Sequence, residues 1–69
     1  MHTIKTNIDE NSSRDAIIAT AICRDISQVW PGSLIYVDDN KSFLRVKARC
    51  NGAALMALTA SLMNAGYVN

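Results

Sequence analysis

The chain has few of the residues on which most catalytic sites depend. Its 69 residues include one histidine, two cysteines and three glycines, and the glycines are isolated from one another. The sole histidine, His2, stands next to the terminus, and neither Cys23 nor Cys50 has a histidine partner that could activate a thiolate. Because no nucleophile, base and oxyanion group can be assembled and no glycine-rich phosphate loop exists, we predict a protein that is not an enzyme and uses no cofactor.

The acidic residues do not indicate a metal site. Adjacent acids occur twice, as Asp9 with Glu10 and as Asp38 with Asp39, and both pairs fall in polar segments that we interpret as turns. A calcium or magnesium site needs several converging oxygen ligands, whereas aspartate is common in turns because its side chain bonds to nearby backbone groups. We therefore predict turn residues and no bound metal.

The bulk properties point to no membrane and to no disulfide framework. The formal net charge is +1 and the sequence pI is about 7.8, so overall charge favours neither nucleic acid nor a lipid surface. Two cysteines without CxxC spacing are expected to stay reduced. Residues 1–10 lack the apolar core of a signal peptide, and the apolar run over residues 53–65 is shorter than the roughly 20 residues that span a bilayer. We predict a cytoplasmic protein.

The sequence does contain regular strand and helix patterns along one domain, residues 1–69. Apolar residues alternate in three segments and recur at helical spacing in two, with Pro31 and Gly32 ending the first helix and Trp30 folding back on the core. The order is strand, helix, strand, strand and helix, over residues 2–8, 14–29, 34–37, 43–48 and 51–66. A polar turn over residues 38–42 joins the middle pair into a hairpin, and residues 67–69 are too short to be more than a tail or a strand stub.

This order predicts an α+β fold: a two-layer β-α-β-β-α sandwich, in which a three-stranded sheet carries both helices on one face. It is similar to a ferredoxin-like fold without its last strand. A right-handed crossover is expected to place the first strand beside the third and parallel to it. The predicted inward-facing side chains are Ile4, Ile8, Ile18, Ile22, Ile26, Ile35, Val37, Leu44, Val46, Ala48, Leu55, Leu58 and Leu62.

The closing helix has no charged residue on any side. Its alanines, leucines and methionines favour a helix, Asn51 can cap its start, and Gly66 can end it. Leucines supply the inward stripe, yet a chain this short has no further layer to cover the opposite side of the helix. We predict that this side is a protein interface, covered by the surface of another protein. It consists of Met56, Thr59, Ala60 and Met63.

A basic surface is expected on the sheet face that the helices leave open. If the first and third strands are neighbours, four cations meet there and could contact a phosphate backbone, although basic residues also solubilise exposed sheets. These possible nucleic-acid contacts are Lys5, Arg45, Lys47 and Arg49. Only Tyr36 and Phe43 are aromatic near this face, fewer than in sheets that read bases, so we do not expect sequence-specific RNA recognition.

In length and pattern the chain resembles the small dimerising subunit of the KEOPS complex, which makes threonylcarbamoyladenosine on tRNA. The resemblance lies in a strand followed by a helix start rich in serine and glutamate, a second hairpin strand reading FLRVKAR over residues 43–49, and a closing helix reading ALMALTASLM over residues 54–63. It implies a homodimer without catalytic residues that docks through its helices on the catalytic subunit and contributes to tRNA contact. The closing helix here lacks that family's usual arginine or asparagine pattern.

A second resemblance is to the DinI family of small SOS regulators, which share this element order and an aromatic-proline pair like Trp30 and Pro31. Their closing helix is strongly acidic and mimics DNA, whereas the one here has no acid, so the resemblance implies the fold and not that mechanism. From its size the chain is also consistent with a phage-type inhibitor of a defence complex.

Overall fold

The computed structural model describes residues 1–38 and 42–69, and it contains the predicted elements in the predicted order. Each element lies within two residues of its predicted position. The predicted hairpin turn lies partly outside the described residues, at residues 39–41. The strands and helices are β1 (His2–Asp9), α1 (Ser13–Val29), β2 (Leu34–Asp38), β3 (Phe43–Arg49) and α2 (Gly52–Asn64).

The three strands form one sheet in the order β1-β3-β2, and both neighbouring pairs are antiparallel. The predicted adjacency of the first and third strands is confirmed, but their predicted parallel direction is wrong. Because the β2–β3 hairpin reverses the chain, the crossover through α1 makes β1 run in the same direction as β2, two positions away. The strand between them, β3, therefore runs opposite to both.

Strand β1 contains a bulge that the alternating sequence pattern does not reveal. Lys5 is paired with Arg45 and Asp9 with Phe43, so three residues of β1 lie opposite the single residue Leu44. The Thr6 side chain bonds to backbone groups at the bulge: its hydroxyl donates to the Leu44 carbonyl oxygen at 2.6 Å and accepts from the Ile8 N–H at 3.2 Å. The buried hydroxyl is thus satisfied where the regular ladder is interrupted.

Both helices pack on the same sheet face, which confirms the two-layer α+β arrangement. The inward side chains of β3 are fully buried beneath them, as predicted, and the partly buried set includes Trp30 packed against the core. The centre of the α1 contact is formed by the small residues Ala19 and Cys23, while Ile18 and Ile22 lie partly buried at its flank. The buried core consists of Ile8, Ala19, Cys23, Ile26, Leu44, Val46, Ala48, Ala54, Leu58, Leu62 and Tyr67.

Both ends of α2 follow the predicted capping chemistry. The Asn51 side chain accepts a hydrogen bond from the Ala54 N–H at 2.9 Å. At the other end Gly66 has φ +84°, its N–H bonds to the Met63 carbonyl, and the Tyr67 N–H bonds to the Leu62 carbonyl. This pair of bonds is the Schellman motif, which favours glycine because the backbone is left-handed there.

The chain end beyond α2 is fixed to β1 and α1 and is not a free tail. The Asn7 N–H donates to the Tyr67 carbonyl oxygen at 2.9 Å, and the Asn7 side chain donates to the Gly66 carbonyl oxygen at 2.8 Å. The Tyr67 ring is buried, and its hydroxyl donates to the Asp15 carboxylate at 3.1 Å. Burial raises the pKa of Tyr67, and the hydrogen bond to Asp15 raises it further.

Candidate interaction surfaces

The four residues predicted as a protein interface lie together on the side of α2 that faces away from the sheet, which we call the α2 outer face. Met56 is 75% exposed and Met63 is 51% exposed, and Ala60 is exposed between them. Thr59 is half-buried at the edge of this face, and its hydroxyl donates to the Leu55 carbonyl oxygen at 2.9 Å within the helix. The face therefore offers thioethers and methyl groups rather than free polar groups.

The inner side of α2 is completely buried. Ala54, Leu58 and Leu62 recur at spacings of four and each is 0% exposed. No acidic residue occupies the first turn and no basic residue the last. Since exposed helix faces in globular proteins are usually charged or polar, the composition of the α2 outer face is unusual for a surface in contact with water.

The four predicted cations lie on the open side of the sheet, which we call the open sheet face. Lys5 of β1 is directly opposite Arg45 of β3. Lys47 is opposite Thr3, and its Nζ donates to the Thr3 hydroxyl at 3.0 Å. Arg49 is exposed at the end of β3, and the acidic residue Asp38 of β2 lies opposite Arg45 on its other side.

Aromatic and apolar side chains lie among these cations. Tyr36 is 43% exposed and is paired with Lys47, and its hydroxyl lies 3.7 Å from the Met1 sulfur. Phe43 is 55% exposed at the start of β3. Leu34 is 43% exposed opposite Arg49. The open sheet face therefore combines positive charge with exposed rings.

The other candidate residues of the sequence do not come together. His2 is the first residue of β1 and is exposed there. The Asp9 carboxylate accepts from the Asn11 N–H at 2.8 Å, which confirms its turn role, while Asp39 lies outside the described residues. Within residues 1–38 and 42–69 no three histidine, cysteine or acidic side chains are placed to hold a metal ion.

Both cysteines are free, and Cys23 is only 3% exposed against the sheet. Burial raises the pKa of the Cys23 thiol from 9.0 to about 11, so it stays protonated and unreactive near neutral pH. In the described part of the chain, no helix is long and apolar enough to cross a membrane.

Comparison of the chain with protein-family models, with curated proteins and with solved structures finds no significant match. The resemblances to the small KEOPS subunit and to the DinI family therefore stay predictions.

Proposed function

We propose that this protein is a non-catalytic interaction subunit that binds a partner protein through the α2 outer face. The observation that carries the proposal is the exposure of Met56 and Met63 on a helix without any charge. Methionine is flexible and polarisable, and it is enriched in protein interfaces. Covering this face with another apolar surface removes that exposure.

The kind of assembly follows from the resemblance to the small KEOPS subunit. We propose a homodimer that docks on a larger protein or ribonucleoprotein complex, as that subunit does in threonylcarbamoyladenosine synthesis. A DinI-like regulator or a phage-type inhibitor would bind a nucleoprotein machine through the same surface and would differ in its partner. The uncharged α2 outer face favours apolar docking in every case, and it cannot imitate the negative charge of DNA.

The test compares charge substitutions on the two helices. Met63→Glu and Met56→Glu place a carboxylate on the α2 outer face, whereas Ile17→Glu places one on α1, where Ile17 is 69% exposed. We expect the two methionine variants to keep the circular dichroism spectrum of the parent and to lose association in sedimentation equilibrium and in pull-down with a candidate partner. The Ile17 variant should associate as the parent does.

Association that survives in both methionine variants would contradict the proposal. So would a parent chain that stays monomeric at high concentration and binds no subunit of a reconstituted KEOPS, recombinase or defence complex. Equal losses in all three variants would point to a general effect of charge and would also count against the α2 outer face.

The open sheet face supports a second candidate function, binding to the phosphate backbone of a nucleic acid. The observation in its favour is the placement of Lys5, Arg45, Lys47 and Arg49 on one face together with two exposed aromatic rings. Cations that contact phosphates release bound counterions, so binding of this kind weakens steeply with salt and depends little on sequence. An RNA-associated assembly could use both surfaces at once, because they lie on opposite sides of the sandwich.

Titration of a tRNA and of a single-stranded RNA at several salt concentrations tests this second function. We expect Arg45→Glu and Lys47→Glu to weaken binding to every sequence and to lower the salt dependence by about 0.7 per lost contact for a single strand. Arg24→Glu changes the net charge equally, but on the exposed side of α1, and should have little effect. Absence of binding at low salt would exclude this function.

A further inference from the structure

A surface depression of about 320 Å³ lies where the bulge interrupts the pairing of β1 with β3. Its walls come from the two strands and from the residue that precedes β3. The lining residues are Lys5, Thr6, Ser42, Phe43, Leu44 and Arg45. The volume is at the lower end of the roughly 300–1,000 Å³ that small-ligand sites occupy in proteins.

The bulge explains why a depression forms at this point of an otherwise continuous sheet. Three residues of β1 pass the single residue Leu44, so the regular ladder is broken between the Lys5–Arg45 pair and the Asp9–Phe43 pair. The Thr6 hydroxyl donates to the Leu44 carbonyl oxygen, and both residues line the depression. Bulges often occur next to functional sites, because they re-aim side chains.

The charges at the edge of the depression favour an anion. Lys5 and Arg45 are directly opposite each other, and two like charges in that position of an antiparallel pair destabilise a sheet. An anion bound between them would remove that repulsion. Asp38 lies on the other side of Arg45 and is not part of the lining, so among the described lining residues two are positively charged and none is negatively charged.

The remaining wall favours a flat, unsaturated group beside the anion. Phe43 is 55% exposed although it lies in a strand, so part of its ring is open to a ligand. Base stacking on an exposed aromatic ring is a frequent way to hold single-stranded nucleic acids, and cations beside the ring hold the backbone. Ser42 adds a hydroxyl that can donate to or accept from a sugar or a base edge.

We propose that this depression binds one nucleotide unit, with its phosphate between Lys5 and Arg45 and its base stacked on Phe43. The inference rests on the second function proposed above and adds to it a defined site with a defined ligand class. An acidic or phosphorylated peptide would bind to Lys5 and Arg45 but would not require stacking on the Phe43 ring. The exposed ring therefore favours a nucleotide.

The experiment is a titration of the ¹⁵N-labelled chain, followed by amide chemical shifts, with AMP, with inorganic phosphate and with a short oligoadenylate. Each critical variant has a matched control on the same open sheet face. Phe43→Leu is compared with Tyr36→Leu, since Tyr36 is also an exposed ring but lies outside the depression. Arg45→Gln is compared with Arg49→Gln, since Arg49 lies on the same strand and also outside it.

We expect saturable shifts around residues 5–6 and 42–45 with AMP at roughly millimolar dissociation constant, and weaker ones with phosphate alone. Phe43→Leu and Arg45→Gln should each weaken AMP binding about fivefold or more, and Tyr36→Leu and Arg49→Gln less than about twofold. If the oligoadenylate binds at least about tenfold more tightly than AMP, a strand is the natural source of the nucleotide; equal affinity indicates a free nucleotide.

Three results would overturn the inference: no saturable shift with AMP or the oligoadenylate, equal affinity for phosphate and AMP, or equal effects of the critical variants and their controls. In the last case the oligoadenylate could still bind with a steep salt dependence, and the backbone-binding function would stand without the site. Tighter binding of a phosphopeptide than of any nucleotide would also overturn it.

Discussion

The two helices have similar inner surfaces and different outer ones. Each buries a narrow stripe against the sheet, Ala19 and Cys23 with Ile26 in α1 and the Ala54–Leu58–Leu62 stripe in α2. On the outside α1 exposes the charged side chains of Arg14, Arg24 and Asp25, whereas α2 exposes no charge. The inner stripes hold the fold together, and the outer faces determine what each helix can bind.

This difference separates stability from association in the same element. Most residues of α2 are either buried in the core or exposed, and the partly buried ones between them are Leu55, Ala57, Thr59 and Ser61. Substitutions on the inner stripe should therefore change the free energy of unfolding, and those on the α2 outer face should change association.

The largest effect is expected at Leu58, which is 0% exposed between the sheet and α2. Leu58→Ala removes buried methyl groups and leaves a cavity, so it should lower the free energy of unfolding by about 2–5 kcal/mol. Urea denaturation followed by circular dichroism measures the change. Met56→Ala, at a position 75% exposed, is the matched control and should change stability by less than about 0.5 kcal/mol.

A stability loss in Met56→Ala as large as in Leu58→Ala would contradict the expectation that only the inner stripe of α2 contributes to stability. It would mean that the α2 outer face is already buried in the form studied, for example in a dimer. Repeating both measurements over a range of protein concentrations separates these cases, since the stability of a dimer depends on concentration and that of a monomer does not.

The second effect concerns the inner stripe of α1 and appears as a pH dependence. Burial raises the pKa of Cys23 from 9.0 to about 11, so below pH 9 both folded and unfolded chains hold this proton. As pH rises from 9 to 11 the unfolded chain loses the proton first, and stability falls, by at most about 3 kcal/mol. Urea denaturation at several pH values measures this decline.

Cys23→Ala is the control, because it removes the thiol from both states. We expect its stability to be less dependent on pH between 9 and 11 than that of the parent. Tyr67 contributes in the same direction, since its folded pKa is also raised and its stabilising contribution is lost as pH passes above 10.0. An identical pH profile in the parent and in Cys23→Ala would show that the thiol is accessible to water.

Most of the fold could be predicted from the sequence because local chemistry determined it. The alternation of apolar and polar residues predicted the strands. Asn51 and Gly66 predicted the ends of α2, and Pro31 with Gly32 predicted the end of α1. The Ser33 N–H bonds to the Trp30 carbonyl oxygen, so residues 30–33 form a turn. Gly32, its third residue, has φ +93°, a conformation that favours glycine. Of the four residues predicted for the outer side of α2, Met56, Ala60 and Met63 are exposed and Thr59 is half-buried at the edge, and their role as an interface stays a prediction.

What the sequence did not reveal depends on contacts between distant segments. The bulge is invisible because Ile4, Thr6 and Ile8 alternate regularly through it. Tyr67 lies in a segment too short to show the apolar periodicity of a strand or a helix. Its burial depends on Asn7 and Asp15, which are 60 and 52 residues away. The depression beside Phe43 follows from the bulge, so the candidate nucleotide site could not be predicted either.

The third effect is expected at the start of α2. Asn51→Ala removes the side-chain acceptor of the Ala54 N–H, and it should lower the free energy of unfolding by about 1 kcal/mol. Asn51→Asp keeps an acceptor at this position and should restore most of the loss, as urea denaturation can show. Equal losses in the two variants would mean that the hydrogen bond does not stabilise the helix.

An effect of similar size is expected at the hydrogen bond that joins the end of α2 to the start of α1. Tyr67→Phe removes the donor to Asp15 and keeps the ring, so it should lower stability by about 0.5–1.5 kcal/mol. Asp15 also accepts from the Ser12 hydroxyl at 2.9 Å, so a double-mutant cycle with Asp15→Ala is needed to isolate the tyrosine contact.

A coupling energy near zero in that cycle would mean that the chain end is held by Asn7 alone, through backbone and amide contacts that neither variant touches. A positive coupling would mean that Tyr67 ties the two helices together at their junction. A loss of association in Met63→Glu would then be an effect of the side chain and not of a displaced helix, because Met63 lies in the last turn of α2, four residues before Tyr67. Loss of partner binding in Tyr67→Phe with an intact α2 outer face would show that docking requires this fixed position as well as the exposed methionines.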